Sequence, residues 1–255
     1  MKLLLMLVVL FSTAAGTPPA ISTKQPARKP VAAASASLVS RFDLAPLWSL
    51  HGDGEAEARV MLGYLGPQYR RLELVFQKVR RDRKNPAVYH VAGKTRERER
   101  ILPFTGTITL TSMRKVRVPK GCNCAREWNH YQATGRFRLT ESAAVEGSGT
   151  FSGTLTMMFS RTPNGVAYLP AYKDDWGYTE GKGEGTTFTS TWRNPESKKP
   201  LNLLWASNFM EIAPTVMENF YAGDRGMHIN PRYARMGWNR YWENEEWWAD
   251  DEPIM

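Results

Sequence analysis

Two cysteines sit one residue apart, at Cys122 and Cys124, with His130 a short distance along the chain. In an oxidising compartment two thiols normally pair. A bridge between positions i and i+2 closes a tight ring and tends to be reducible. Two readings stay open: a redox-active or metal-binding pair with His130 as third ligand, or a local disulfide staple of the loop or two thiols that bond nothing in particular. Zinc and thioredoxin motifs use a two-residue gap or more ligands, so the spacing favours the staple, with neither metal nor cofactor expected. Asp174-Asp175 offers an acid/base pair or oxygen ligands for Ca²⁺. Adjacent residues on a strand point apart, however, so a polar turn is the simpler reading.

Little else has the spacing of a catalytic site. His51, His90, His130 and His228 form no metal-binding pair, and no Gly-x-Ser-x-Gly elbow occurs. Gly181-Lys182-Gly183-Glu184-Gly185 lacks the Lys-Ser/Thr ending of a phosphate loop. No catalytic residue is therefore assigned, and the chain reads as a binding protein in preference to an enzyme. The rival is a hydrolase or redox enzyme resting on the cysteine pair and the Asp174-Asp175 loop.

The formal charge is +9 over 255 residues. Such an excess favours anionic surroundings: acidic glycans, lipid headgroups or nucleic acid. Scattered Lys and Arg on a β-protein more often form a solvated exterior. Arg80, Arg81, Arg83, Arg96, Arg98 and Arg100 are the densest basic set, expected to form a surface for an anionic glycan or an envelope partner. Specific nucleic-acid binding is not expected.

The elements that must position these residues are strands. Phe104-Thr105-Gly106-Thr107-Ile108-Thr109-Leu110 recurs as Phe151-Ser152-Gly153-Thr154-Leu155-Thr156-Met157, with a looser echo from Thr187 to Trp192. Each alternates apolar with small hydroxyl residues, the period of a strand with one buried face. Gly106 and Gly153 fall on the apolar side, which predicts a bend, a bulge or a close backbone approach. Leu72, Leu74 and Phe76 share a face, as do Tyr89 and Val91, and Phe137 and Leu139 point inward with Arg136 and Arg138 outward. Thr162-Pro163-Asn164-Gly165 reads as a hairpin turn. The charged run from Arg96 to Arg100 reads as a projecting turn or ribbon, since a strand there would carry charge on both faces. About nine or ten strands result. The fold expected is all-β, an antiparallel β-barrel or β-sandwich. A barrel cavity lined by Tyr89, Phe104, Phe151 and Trp192 would take a small lipophilic or amphipathic ligand.

The ends differ from this body. Lys2, the apolar run Leu3 to Phe11, and small residues permitting cleavage after Ala15 or Gly16 read as a cleavable signal peptide over 1–16. Residues 17–37, rich in Pro, Ala and Ser, read as a flexible linker. The barrel domain is placed at 38–207, with a short helix or first strand between Leu38 and Leu50. No second long apolar run occurs, so no transmembrane segment is expected and the mature protein should be soluble, secreted or periplasmic. Residues 208–255 are expected to form a C-terminal extension, with a helix over Asn208 to Tyr221 interrupted by Pro214. Its Tyr233, Trp238, Tyr241, Trp242, Trp247 and Trp248 are expected to pack over a barrel end or sheet edge.

The order Gly63-Tyr64-Leu65-Gly66, then Tyr89-His90-Val91-Ala92-Gly93-Lys94, then Phe104-Thr105-Gly106-Thr107, then Gly149-Thr150-Phe151-Ser152-Gly153 resembles a set of uncharacterised secreted β-rich bacterial proteins. The resemblance runs from Val60 to Trp205. It implies export and a lipocalin-like or sandwich architecture, and no reaction.

Overall fold

A computed structural model describes residues 31–49, 60–117, 129–168, 172–174, 177–179, 185–197, 199–207, 231–240 and 247–249. Eight antiparallel strands close into a barrel: β1 (Met61–Leu65), β2 (Arg70–Arg81), β3 (Val88–Glu97), β4 (Arg100–Val116), β5 (Asn129–Glu141), β6 (Thr150–Thr162), β10 (Gly185–Arg193) and β11 (Leu201–Ala206). Each pairs with its neighbour in the chain, and β10–β6 and β11–β1 ladders complete the ring. β7 (Gly165–Tyr168) extends the far end of β6. β8 (Tyr172–Asp174) and β9 (Gly177–Thr179) form a small separate ladder, where a plain polar loop was expected.

Alternation decides what each strand buries. Leu72, Leu74 and Phe76 on β2, Phe104 and Ile108 on β4, and Phe151, Leu155 and Phe159 on β6 all point inward. An eight-stranded barrel is just wide enough for side chains to fill, and here aromatic rings do so. Phe188 stacks on Trp205 with centroids 4.7 Å apart, and Phe137 meets both edge-on. The glycines of the repeated phrase make the close approach that their position predicted. A Cβ on Gly106 would lie 2.1 Å from the Arg138 carbonyl oxygen, and one on Gly153 would lie 2.0 Å from that of Thr189.

One end of the barrel is closed by the chain that precedes it. Helix α1 (Val31–Arg41) starts inside the stretch expected to be a linker; its run of alanines and serines is locally capable of helix. Its terminal carbonyls, on Val39 and Ser40, accept from the Arg81 guanidinium, so a cation meets the negative helix end. Helix α2 (Ala45–Trp48) then carries Trp48 wholly into the barrel. There its Nε1 donates to Thr186 Oγ1 at 3.0 Å, and its ring meets Tyr89 edge-on. Phe42 packs on Tyr131 and Phe159 beside it. We call this the helix end.

The opposite, tail end carries the β1–β2, β3–β4, β5–β6 and β10–β11 connections. Helix α3 (Pro231–Ala234) and a 3₁₀ turn, Trp238–Arg240, sit there. Trp238 Nε1 donates to the Tyr69 carbonyl at 2.6 Å, and Arg71 N donates to that of Met236. Trp247 and Trp248 then pack on Val75, on the outer wall of β2. The tail's described aromatics thus cover other residues, Trp238 at the tail end and Trp247 and Trp248 on a side wall. Tyr241, Trp242 and 208–221 lie outside the described residues.

No helix among the described residues is long and apolar enough to cross a membrane. The outward wall of β4, β5, β6 and β10 carries hydroxyl and arginine side chains. That is the reverse of a membrane-spanning barrel, whose outer band is apolar.

Candidate functional site

Three of the rings expected to line a ligand cavity pack instead against other aromatic residues of the core. Tyr89, Phe104 and Phe151 are buried in the continuous core. Tyr89 Oη accepts from Leu44 N at 3.1 Å, Phe104 lies edge-on to Phe76, and Phe151 edge-on to Trp205. The plug from α2 and the size of these rings account for the correction: space that a wider or open barrel would leave is occupied by Trp48 and its neighbours.

Trp192, the cross-strand partner of Phe151, is half-buried at the tail end, where Glu141 closes β5. Glu141 Oε1 accepts from Thr95 Oγ1 at 2.8 Å; its Oε2 accepts from Gly149 N at 2.8 Å and Trp192 Nε1 at 3.1 Å. Burial pushes this carboxyl above its ordinary value, against the opposing pull of those donors and the Arg100 charge. The space left among these side chains is about 20 Å³, room for one water and far below the several hundred Å³ of a small-molecule site. A carboxylate whose oxygens already meet three donors is a structural keystone in preference to a proton donor.

The six arginines expected to make one basic surface do not. β2 and β3 run in opposite directions, which places Arg80, Arg81 and Arg83 at the helix end and Arg98 and Arg100 at the tail end. Arg81 is turned back onto the carbonyls of Pro86, Val39 and Ser40. Arg96 is buried: it pairs with Glu73, which also receives Arg71 at 2.7 Å, and its guanidinium lies 5.2 Å from the Trp247 ring. Local alternation sets Arg96 outward, but the C-terminal segment covers that wall. The hairpin turns instead at Arg98, in the left-handed region with φ 58°.

Cys122, Cys124 and Asp175 lie outside the described residues; Asp174 is in β8. His130 is buried on β5, with Nδ1 against Ser160 Oγ at 2.8 Å. Exposed His90 meets Asp82 at 2.9 Å. That hydrogen bond, with those from the Asn85 and Lys84 backbone, holds the Asp82 carboxyl down to about 2. Among the described residues no three His, Cys, Asp or Glu side chains gather to hold a metal.

What sequence reasoning did not assemble is the outer wall across β4, β5, β6 and β10. Arg136 and Arg138 point outward from β5, exposed, two residues and so roughly 6.8 Å apart. Register places Thr109 and Thr154 on either side of Arg136, and Thr107 and Ser152 on either side of Arg138. Neither guanidinium has an ion-pair or hydrogen-bond partner among the described residues. Outward positions from Thr105 to Thr111, Gln132 to Thr140, Thr150 to Thr156 and Thr187 to Arg193 include no Asp or Glu. Two charges without an ion-pair partner among the described residues therefore stand in a field of short hydroxyls.

Beyond Ser152 and Thr154 this wall becomes a groove of about 520 Å³. Thr189, Thr191, Asn202 and Leu204 continue it, and the ring of Tyr64 closes its far side. Short side chains between the taller arginines and tyrosine leave it open. Its only signals in the sequence are the hydroxyl alternation and the outward arginines; nothing local says that β10, β11 and β1 follow β6.

No family model, curated protein or solved structure matches this chain. The lipocalin-like architecture stands on the barrel itself.

Proposed function

We propose that this is a non-enzymatic binding protein, and that an anionic partner docks on the outer wall of a packed barrel at Arg136 and Arg138. The observation that carries the reading is the pair itself: exposed, without an ion-pair partner among the described residues, and flanked by hydroxyls that can donate to the same anionic oxygens. A guanidinium offers five donors in a fork that matches carboxylate, sulfate or phosphate oxygens. The signal-like segment at 1–16 supports export, where acidic glycans are abundant partners. Interior binding of a lipophilic ligand has less support, because Trp48 and the aromatic core occupy the barrel.

Retention of the protein on a sulfated polysaccharide at two ionic strengths tests this. Binding should weaken steeply with salt. The Arg136→Gln/Arg138→Gln double variant should lose about tenfold in affinity, as one charge-assisted contact of about 1.4 kcal/mol would give. Arg80→Gln/Arg83→Gln, at the helix end, should lose much less. Retention of the first variant equal to the unaltered protein would overturn the reading.

A further inference from the structure

We infer that the groove beside the arginine pair is a saccharide site, and that the anionic partner is an acidic sugar chain lying across β5, β6, β10, β11 and β1. This rests on the reading of Arg136 and Arg138 as anion contacts and adds a second, uncharged half to it.

The two halves share one cross-strand row. Arg136 opposes Thr154, Thr154 opposes Thr189, Thr189 opposes Leu204, and Leu204 opposes Tyr64. Four strand spacings of roughly 4.8 Å separate the ends, about 19 Å along the wall. That span exceeds one sugar ring and suits a short oligosaccharide.

The chemistry changes along the row. At the β5 end stand two cations. In the middle, Ser152, Thr154, Thr189 and Thr191 present hydroxyls, each able to donate and accept, and exposed Asn202 adds an amide with both functions. A sugar rim of hydroxyls needs this mixed capacity; a simple polyanion needs donors only. At the β1 end is an aromatic face. The Tyr64 ring is held 4.8 Å from Tyr69, which meets Tyr233 edge-on at 5.9 Å. Burial and Tyr69 both push the Tyr64 hydroxyl above its ordinary value, so the ring is neutral. A sugar presents an apolar C–H face as well as its hydroxyl rim, and a held aromatic ring is the natural platform for it.

Lipid headgroups fit less well. The groove runs across the barrel's side, and the exposed large hydrophobics among the described residues, Ile101 and Val145, are not in its lining. Single-stranded nucleic acid could also stack a base on Tyr64 and set phosphates on arginines, so it is one arm of the test.

The test is titration calorimetry with three probes: a uronic-acid tetrasaccharide, inorganic tripolyphosphate and a short oligothymidylate. Tyr64→Ala and, independently, Asn202→Ala should each weaken the tetrasaccharide about tenfold and leave tripolyphosphate unchanged. Arg136→Gln/Arg138→Gln should weaken both. Asn202 is exposed, so its variant guards against a loss that merely reports misfolding. Unchanged tetrasaccharide affinity in both the Tyr64 and Asn202 variants overturns the saccharide site while leaving the anion reading intact. Tighter binding of oligothymidylate than of tetrasaccharide, with the same dependence on Tyr64, does the same. Absence of tetrasaccharide binding by the unaltered protein overturns the saccharide site, and indifference of every probe to the arginine pair overturns the anion reading beneath it.

Discussion

Tyr64 and Arg136 stand at opposite ends of a single cross-strand row, joined through Leu204, Thr189 and Thr154. They belong to β1 and β5, which share no ladder. Closure of the barrel through β6, β10 and β11 is what puts an aromatic face and a cationic pair on the same wall. The same closure makes the interior intolerant of change.

Trp48→Ala should destabilise the protein by about 3–5 kcal/mol, the usual cost of removing a large ring from a core. The ring is fully buried and its N–H is bonded to Thr186, so little relaxation is available. Denaturant unfolding at constant m-value measures it. A change below 1 kcal/mol would mean that α2 does not plug the barrel in solution.

Gly106→Ala and Gly153→Ala should each destabilise by about 1–3 kcal/mol or more, from overpacking. The new methyl would meet a neighbouring strand's backbone near 2 Å, with no flexible side chain to move aside. Equilibrium unfolding of the two variants should give similar losses, because the two positions have the same geometry.

Glu141 should make stability depend on pH in a direction opposite to that of a carboxylate held down by its partners, such as Asp82. Its folded value lies above the ordinary 4.5. The folded state therefore holds the proton more tightly than the unfolded chain does. The associated stability is fully present below the unfolded value and is lost as pH rises through the folded one. Asp82 behaves oppositely: its contribution is present above the unfolded value and lost as pH falls through about 2. Glu141→Gln removes the first slope. Unfolding free energies from pH 4 upward should show the unaltered protein declining relative to Glu141→Gln, whatever the offset between them. Parallel curves would refute the shift.

Glu73→Ala should cost about 3–5 kcal/mol, because it removes the carboxylate with which both Arg71 and Arg96 pair in a buried wall. The burial comes from the C-terminal segment: Gly237 accepts from Arg71 Nη1 at 3.3 Å, and Trp247 lies over Arg96. Removal of residues 231–255 should return the wall to water and reduce the cost of Glu73→Ala toward the roughly 0–1 kcal/mol of an exposed pair. A double-mutant cycle in unfolding free energy reads this coupling.

Much of the barrel is legible strand by strand. The period-two pattern assigns inward and outward residues correctly on β2, β3 and β5, the Asn164-Gly165 turn joins β6 to β7, and the repeated phrase places its glycines where backbones meet. These are local consequences of side-chain alternation and of what a Cβ would strike. The stretch around residue 31 is less legible, because a run of small residues has the same composition in a linker as in a docked helix. Arg96 is opaque for a related reason. Alternation marks it as outward, and only the return of a distant segment makes outward mean buried.

Sequence by itself therefore determined the all-β character, the inward faces and the outward placement of Arg136 and Arg138, since these depend on neighbours one or two residues away. Tertiary structure alone decided that Trp48 fills the barrel, that the remaining arginines divide between its two ends, and that Tyr64 shares a wall with Arg136. Those relationships depend on strand direction, register and ring closure, which are set by contacts between residues far apart in the chain.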